Sequence, residues 1–413
     1  MNARSESSSQ PAEAGRAAQA VALGLVLLTA SWGLLHVGFY DRNQIIDTPV
    51  YQHYGEQMLD SKVPYRDFAV EYPPAALPVF VLPALAAKED YKSAFELLMW
   101  AAAVAAIVLL GVTLAAVGAG PARLFGATVF AGLAPLALGS VILTRFDLWP
   151  AALVAGALAA LVSGRERLGL GVLALATAAK LYPAVLLPLA LVWIARRRGA
   201  REAAIALGVL AAVLAAVVLP FAILSPGGVA DSLTAQLGRP LQIESLGAAL
   251  LLAAHQLRAY DPTVVSTHGS QNLAGSLPDA LAAVQTALQL VALVAVWILF
   301  ARGHRNENGN RLLAASTAAV VAFVAFGKVL SPQFLIWLLP LVPLVAGEVG
   351  LTACVLFAGT LVTTQLWFPF RYWHVVALGP AGWLVLVRDL LLIGLLGVLL
   401  RATARGFAAP RSS

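Results

Sequence analysis

Long apolar runs constrain this chain more than any other feature. Residues 20–35, 101–117 and 203–219 carry no charged side chain, and each run approaches the roughly 20 apolar residues that a helix needs to cross a bilayer. The runs lack the alternation of a transmembrane β-barrel. The chain is 60% hydrophobic and 12% charged, whereas soluble domains average about 45–50% apolar and about 25% charged residues. The sequence therefore predicts an all-α polytopic membrane protein.

The apolar segments predict about twelve transmembrane helices in a single domain covering residues 18–401. Residues 75–87 form a further apolar stretch, but about 13 residues containing Pro78 and Pro83 are too few to span, so we expect an interfacial or re-entrant segment there. The predicted spans are residues 18–39, 94–118, 124–143, 147–163, 168–179, 183–195, 203–224, 279–301, 311–327, 333–347, 350–367 and 381–400.

The distribution of charge predicts the orientation. With both termini in the cytoplasm, 15 basic and 6 acidic residues lie inside, against 11 basic and 14 acidic residues outside, which agrees with the positive-inside rule for a plasma membrane protein. Residues 1–17 and 402–413 are predicted as cytoplasmic tails, the first of them disordered. The net charge of +6 is thus a topology signal and an attraction to anionic lipids, and no nucleic-acid partner is expected.

Two long loops, residues 41–92 and 225–278, fall on the predicted outer side. Loops longer than about 12–15 residues usually carry function or are disordered, and these contain aromatic and apolar residues that can pack. Most of the chemically varied side chains also fall on this side. We therefore expect an outward-facing active site, with interfacial helices in both loops.

The first loop concentrates acids beside tyrosine and proline. Asp47, Asp67 and Glu71 are candidates for a general base, and Tyr51 offers an aromatic face to a sugar. A solvated loop remains the alternative for each acid. Asp47 is the strongest candidate because it lies nearest to the predicted end of the first helix.

Cations at helix junctions form a second candidate group. Arg145 and Asp147 are separated by a single residue, so they can form a local ion pair. Alternatively, the Arg145 guanidinium binds a phosphate, which its fork geometry suits. Lys180 lies between two short helices, where a cation is costly unless it lines a cavity or snorkels to the interface. Lys328 and Arg371 are predicted at other outer turns.

The second loop and the following turn add further candidates. Arg239 and Glu244 either pair with each other or bind substrate, and Gln333 follows a serine and a proline at an outer turn. His255 is a candidate for substrate binding, since its surroundings do not resemble a metal site. The single cysteine, Cys354, excludes an internal disulfide and a cysteine metal cluster.

Arg388 and Asp389 are adjacent within the last helix, where neighbouring side chains do not face each other well. We expect a structural role for these two residues. The sequence predicts no cofactor and no protein metal site, and it leaves open whether a divalent cation takes part.

Taken in order, the motifs resemble those of GT-C-fold glycosyltransferases, specifically the polyprenyl-phosphate-mannose-dependent α-(1,2)-mannosyltransferases of the actinobacterial phosphatidylinositol-mannoside type. The resemblance runs from about residue 41 to residue 340. The motifs that carry it are Asp47-x-x-Val-Tyr51, Pro64-Tyr-Arg-Asp67, Glu71-Tyr-Pro-Pro74, Arg145-Phe-Asp147, Lys180-Leu-Tyr-Pro183, Arg239-Pro-Leu-Gln-Ile-Glu-Ser245, Ser331-Pro-Gln333 and Trp337-Leu-Leu-Pro340.

This resemblance implies a polyprenyl-phosphate-linked sugar donor, a lipid or glycolipid acceptor and an inverting transfer at the outer face. It implies Asp47 as the catalytic base. Cations must then stabilise the leaving phosphate, and Arg145, Lys180, Lys328 and Arg371 lie on the predicted correct side.

Three other classes of protein remain open from the sequence. A transporter or flippase of lipid-linked sugars would place its site near the midplane, commonly between repeated halves, and no internal repeat is visible. A lipid-linked polymer ligase or polymerase shares the donor chemistry, but it would depend on arginine and histidine in one outer loop. A structural membrane protein is the last alternative. The sugar, the acceptor and the oligomeric state do not follow from the sequence.

Overall fold

The computed structural model describes residues 3–42, 44–303 and 309–405, and α-helices dominate it. In chain order the helices are α1 (Ala3–Leu34), α2 (Thr48–Leu59), α3 (Leu77–Val81), α4 (Tyr91–Ala116), α5 (Pro121–Leu138), α6 (Leu148–Val162), α7 (Glu166–Ala179), α8 (Leu187–Arg198), α9 (Ala200–Leu224), α10 (Pro226–Leu237), α11 (Leu246–Gln256), α12 (Ser276–Ala301), α13 (Gly309–Ala325), α14 (Gly347–Trp367), α15 (Tyr372–Val376) and α16 (Gly382–Arg405). The 3₁₀ segments are Pro74–Ala76, Pro83–Leu85, Lys88–Asp90, Ser140–Ile142, Tyr182–Leu186, Pro332–Leu338 and Val342–Leu344.

Within the described residues, seven helices are long and apolar enough to cross a membrane, namely α1, α4, α5, α9, α12, α14 and α16. Each coincides with a predicted span. The other five predicted spans are also helical, but α6, α7, α8, α13 and the 3₁₀ segments between Pro332 and Leu344 are shorter. The chain is therefore a multi-pass helical membrane protein, and twelve crossings stay a prediction.

Burial separates the central helices from the peripheral ones. Nearly every residue of α6 and α13 is buried, as expected for helices that are apolar on all sides and enclosed by others. By contrast, α9 exposes Leu219, Ile223 and Leu224, although it is among the most hydropathic helices. An exposed apolar belt of this kind is stable where lipid covers it.

Small residues allow the first helix to pack closely. A Cβ atom on Gly132 of α5 would lie 2.6 Å from the carbonyl oxygen of Gly24 in α1, so only glycine permits this approach. The Ser31 hydroxyl donates to the Gly132 carbonyl at 2.9 Å. Close contacts through small residues, with an added hydrogen bond, are a common means of helix association in membranes.

Prolines break two apolar segments that the sequence treats as continuous. Residues 74–85 form two 3₁₀ turns around the five-residue α3, because Pro78 and Pro83 remove backbone donors. The predicted span 333–347 likewise consists of two 3₁₀ segments. Both irregular segments lie near the polar residues described below.

The loop at 225–278 contains a small β-sheet, so the all-α prediction is wrong at this point. Strands β1 (Leu241–Gln242), β2 (Thr263–Thr267) and β3 (Ser270–Ala274) pair antiparallel in the order β1-β3-β2. The β-branched residues of β2 favour a strand, and His268 and Gly269 take the positive φ angles that a tight hairpin turn needs.

The ends of the domain differ in part from the predicted tails. Helix α1 begins at Ala3, within the segment for which the sequence predicts disorder, since its alanine and glutamate residues favour helix. At the other end, α16 extends to Arg405. The rest of the predicted C-terminal tail lies outside the described residues.

Candidate active site

Arg145 and Asp147 do not pair with each other, which settles one alternative left open by the sequence. They lie on the connection that enters α6, and each reaches a different element. Arg145 Nη1 lies 2.5 Å from Asp47 Oδ1, and Arg145 Nη2 donates to the carbonyl oxygen of Ile45 at 3.3 Å. The Arg145 side chain is only 5% exposed, so this guanidinium fixes the segment around Asp47 from within the protein.

Asp47 lies farther from the first helix than the sequence predicts. Helix α1 ends at Leu34, and Asp47 occupies the N-cap position of α2, where its backbone carbonyl accepts the first helical hydrogen bonds. Its carboxylate turns towards Arg145, and the Tyr51 hydroxyl donates to Oδ2 at 3.5 Å. The Tyr51 ring is buried and stacks on Phe80. One edge of the carboxylate is thus held while a third of the side chain stays accessible.

A buried ion pair joins α6 to the turn after α7. Lys180 Nζ lies 2.5 Å from Asp147 Oδ1, and the Trp337 indole donates to the same oxygen at 2.6 Å. The ammonium also lies 4.7 Å from the Phe146 ring centroid. Because the Lys180 side chain is 16% exposed and anchored inside, snorkelling does not describe it. Lys180 faces a cavity.

This cavity, the polar chamber, has a volume of about 250 Å³. It brings together residues from the first loop, the Arg145 junction, the small sheet and the turn before Pro332. Its charged and polar lining includes Asp47, Glu71, Arg145, Lys180, Arg239, Gln242, Glu244, His268, Ser270, Ser331 and Gln333. Seven of these residues are sequence-predicted candidates, and they come from separate parts of the chain.

A second cavity of about 280 Å³, the aromatic chamber, adjoins the first. Tyr182 stacks on Trp337 with ring centroids 4.1 Å apart, and both residues line it together with Phe323 and Lys328. Five residues line both chambers and so mark their boundary: Glu71, Tyr72, Lys180, Arg239 and Phe334. Two cations and one carboxylate therefore lie where the chambers meet.

A hydrogen-bonded cluster of Gln242, Glu244 and Ser331 lines the polar chamber. Gln242 Nε2 donates to Glu244 Oε2 at 2.6 Å and to Ser331 Oγ at 2.8 Å. Burial raises the pKa of the Glu244 carboxyl to about 7, a shift that the charge of Arg388 opposes. Near neutral pH this carboxyl can therefore donate as well as accept a hydrogen bond.

Arg239 does not pair with Glu244, contrary to the simplest alternative from the sequence. Arg239 Nη2 donates to the His268 carbonyl at 3.2 Å and to Ser270 Oγ at 2.9 Å. The guanidinium therefore ties the hairpin of β2 and β3 to the wall of the polar chamber.

Arg388 and Asp389 do pair, at 2.6 Å, and both side chains are fully buried. Sequence adjacency made this pairing look unfavourable, so that part of the expectation is wrong. Arg388 Nη2 also donates to the backbone carbonyl of Glu244 at 2.5 Å. This hydrogen bond ties the backbone of the cluster of Gln242, Glu244 and Ser331 to α16.

Five predicted site residues do not line either chamber, namely Tyr51, Asp67, Asp147, His255 and Arg371. Tyr51 and Asp147 each contact a lining residue, Asp47 and Lys180 respectively, whereas the other three have their partners outside both chambers. Asp67 pairs with Arg66, which lowers the pKa of the Asp67 carboxyl to about 2 and makes it a poor base. His255 belongs to α11, and its Nδ1 atom lies 3.1 Å from Asp261 Oδ1. Arg371 is exposed and donates to the carbonyl of Leu366. Their predicted location on the outer side brought Asp67, His255 and Arg371 into the prediction, whereas in the fold their partners lie outside both chambers.

Several lining residues were not singled out from the sequence. Tyr72, Gln242, Ser331, Phe334 and Trp337 all line one or both chambers. Each belongs to a motif quoted above or lies beside one, so the signal was present. Their uncharged side chains gave no reason to prefer them over ordinary packing residues.

Within the described parts of the chain, no group of three or more histidine, cysteine, aspartate or glutamate residues is arranged to hold a metal ion. Asp47 and Asp147 each face a cation at 2.5 Å. Asp147 lines neither chamber, and the carboxylates that a ligand in the polar chamber meets are those of Asp47, Glu71 and Glu244.

The fold and the two chambers define a helical membrane protein with an internal site of paired charges beside an aromatic cavity. The chain belongs to glycosyltransferase family 87, whose family model matches residues 70–332. A crystal structure of ArnT from Cupriavidus metallidurans bound to undecaprenyl phosphate is similar to it, with a TM-score of 0.48 and 14% sequence identity over 95% of this chain and 78% of that chain. No curated protein matches the sequence.

The protein is accordingly a membrane glycosyltransferase. The matched segment includes Arg145, Lys180, Arg239 and Glu244, whereas Asp47 precedes it. The role of Asp47 therefore depends on the geometry of the polar chamber.

Proposed function

We propose that this protein transfers a hexose, with mannose as the first candidate, from a polyprenyl-phosphate donor to a hydroxyl of a lipid or glycolipid acceptor. The observation that carries the proposal is the polar chamber, in which the Asp47 carboxylate shares about 250 Å³ with Arg145, Lys180 and Arg239. A base and several cations within one small cavity match the two charges that develop in such a transfer. Family membership favours this reaction over transport.

The proposed reaction is a single displacement that inverts the anomeric carbon. The acceptor oxygen forms a bond to that carbon while the bond to the phosphate oxygen breaks, and the acceptor proton passes to the Asp47 carboxylate. Polyprenyl phosphate leaves with the bonding electrons. Neither a covalent enzyme intermediate nor an oxidant is required.

The cations have a defined task in this reaction. Negative charge grows on the leaving phosphate, and preorganised donors that point at it lower the barrier. Lys180 and Arg239 lie at the boundary between the chambers, which is our proposed position for the phosphate. Asp147 holds the Lys180 ammonium in place through one carboxylate oxygen.

The lipid chain of a substrate also has a suitable surface. An apolar groove of about 840 Å³ is lined by residues of α2, α3, α6, α7 and α9, together with Pro74 and Ala75. The segment between Glu71 and Ala75 connects this groove to the chambers, and Trp149 donates to the Ala75 carbonyl at 3.1 Å. We propose that a lipid chain lies in the groove while its polar head enters the polar chamber.

Purified full-length protein in lipid nanodiscs should be incubated with radiolabelled polyprenyl-phosphate-mannose and extracted membrane lipids. We expect the label to move to a lipid product of different mobility. A glucose-linked and a galactose-linked donor in parallel would identify the sugar. Absence of transfer from every donor, by protein that elutes as a single species, would contradict the proposal.

A further inference from the structure

The cluster of Gln242, Glu244 and Ser331 is held rigidly by contacts outside the chamber. Gln242 pairs with Asn272 across β1 and β3, and its backbone N–H donates to the Lys328 carbonyl at 3.0 Å. The Glu244 backbone is held by Arg388. Side chains fixed in this way can select one ligand geometry.

The amide of Gln242 has a defined orientation and one unused acceptor. Both hydrogen bonds of the amide within the cluster use Nε2, one to Glu244 and one to Ser331. The Ser331 hydroxyl in turn donates to Glu244 Oε2 at 3.3 Å, so it accepts from the Gln242 nitrogen and has no proton left for the carbonyl oxygen. The residue is 2% exposed, and its Oε1 atom has no hydrogen-bond partner among the described residues. A buried acceptor without a partner is unfavourable, and a ligand that donates a hydrogen bond removes that cost.

The side-chain chemistry of the cluster of Gln242, Glu244 and Ser331 determines which part of a ligand it can bind. A carbonyl oxygen and a carboxyl group repel a phosphate but accept hydrogen bonds from hydroxyl groups. The cations at the boundary do the reverse. Gln242, Glu244 and Ser331 line only the polar chamber, whereas Lys180 and Arg239 line both chambers. The phosphate and the hydroxyl-rich part of one ligand are therefore received by different walls.

The size of the polar chamber supports the same division. Pockets for drug-sized ligands measure about 300–1,000 Å³, and the polar chamber is slightly smaller at about 250 Å³. A monosaccharide unit is the part of the proposed donor that fits such a space, because the polyprenyl chain is apolar and far longer.

We propose that Gln242 is a specificity-determining residue whose side-chain carbonyl accepts a hydrogen bond from one hydroxyl group of the transferred hexose, with Glu244 and Ser331 holding the amide in position. This inference rests on the proposed function and identifies the group that recognises the transferred sugar. The acceptor hydroxyl contacts Asp47 instead, so we expect loss of Gln242 to change the specificity for the donor sugar and not the proton transfer.

The test compares polyprenyl-phosphate hexoses with their monodeoxy analogues, each lacking one hydroxyl group, using full-length protein in nanodiscs. We expect wild-type protein to prefer the intact donor at one position by about 10- to 100-fold in kcat/KM, because a buried polar group left unpaired discriminates strongly. In Gln242→Met that preference should fall to within about threefold, while preferences at the other positions persist.

Gln285→Met is the matched control. Gln285 is also a buried amide, but its Oε1 accepts from the Gly247 N–H and its Nε2 donates to the Gly327 carbonyl, and it does not line the polar chamber. Its substitution should lower thermal stability and leave the donor preference unchanged.

Two outcomes overturn the inference while the proposed function stands. One is transfer by wild-type protein without preference for any single hydroxyl group, a result that needs no variant to fold. The other is a Gln242→Met protein that keeps the full preference. Wild-type protein that transfers no hexose at all would instead overturn the proposed function, and this inference with it.

Discussion

The guanidinium of Arg145 lies 2.5 Å from the carboxylate of Asp47, although the sequence places the two residues in different loops. Arg145 is buried, whereas the Asp47 side chain is one-third exposed and lines the polar chamber. This pairing orients one carboxylate oxygen and leaves the other side of the group accessible. It is the structural basis for treating Asp47 as the base.

The Lys180–Asp147 ion pair allows the effect of Lys180 on thermal stability to be measured separately from its effect on donor use. Lys180→Met leaves a buried carboxylate without its cation, and breaking such a pair costs about 3–5 kcal/mol. The double variant Lys180→Met/Asp147→Asn should recover most of the thermal stability, because the amide can still accept from Trp337. Donor use should stay low in both variants.

Thermal unfolding and donor titration of the two variants check this prediction. Lys88→Met serves as the control, since Lys88 is 75% exposed and pairs with Glu56 at the surface. Wild-type donor use by the stable double variant would remove Lys180 from the phosphate site.

Glu244 predicts a dependence of stability on pH. Burial raises the pKa of its carboxyl from the ordinary 4.5 to about 7 in the folded protein, so the folded state binds more protons than the unfolded chain between these values. Stability contributed by this group is therefore complete below about pH 4.5 and is lost as pH rises through 7. Glu244→Gln should flatten the decline in melting temperature between pH 5 and pH 8. An equal decline in both proteins would contradict this assignment.

The apolar groove predicts an effect on lipid substrates. Ala216→Trp places a large ring in the groove, and we expect the KM for the lipid substrate to rise about tenfold with kcat little changed. Ala212→Trp is the control, because Ala212 is exposed on the same helix but does not line the groove. Equal kinetics for the two variants would show that the groove does not bind the lipid.

The predicted topology can be tested independently of activity. Cysteines introduced at Asp60 and Asp261, in a Cys354→Ala background, should react with an impermeant reagent in intact cells. Both positions are exposed, Asp261 to 89%. Labelling only after permeabilisation would reverse the orientation and place the chambers on the cytoplasmic side.

The long helices could be predicted from the sequence because their positions follow from high hydropathy over long windows. The small sheet could not be predicted with the same ease, since β1 has only two residues and the β2–β3 hairpin lies between apolar helices. Proline explains the other departures, as it converts the predicted span at 333–347 into 3₁₀ segments.

The site was predictable as a set of charged residues but not as a set of pairs. Arg145 and Asp147 are close in sequence, yet each binds a partner from another element, and only the three-dimensional packing determines which one. His255 and Arg371 lie outside both chambers for the same reason. Gln242 was missed because an uncharged amide next to Glu244 gives no signal until its unpaired acceptor is seen.

The most direct test of the account is the rate of sugar transfer by Asp47→Asn at saturating donor. Asparagine keeps the size of the side chain and loses its basicity, so we expect transfer to fall by at least about 10²-fold with donor binding retained. Asp60→Asn, an exposed acid at the end of α2, should transfer at the wild-type rate. Normal transfer by Asp47→Asn, together with an inactive Glu71→Gln, would contradict the account and move the base to Glu71.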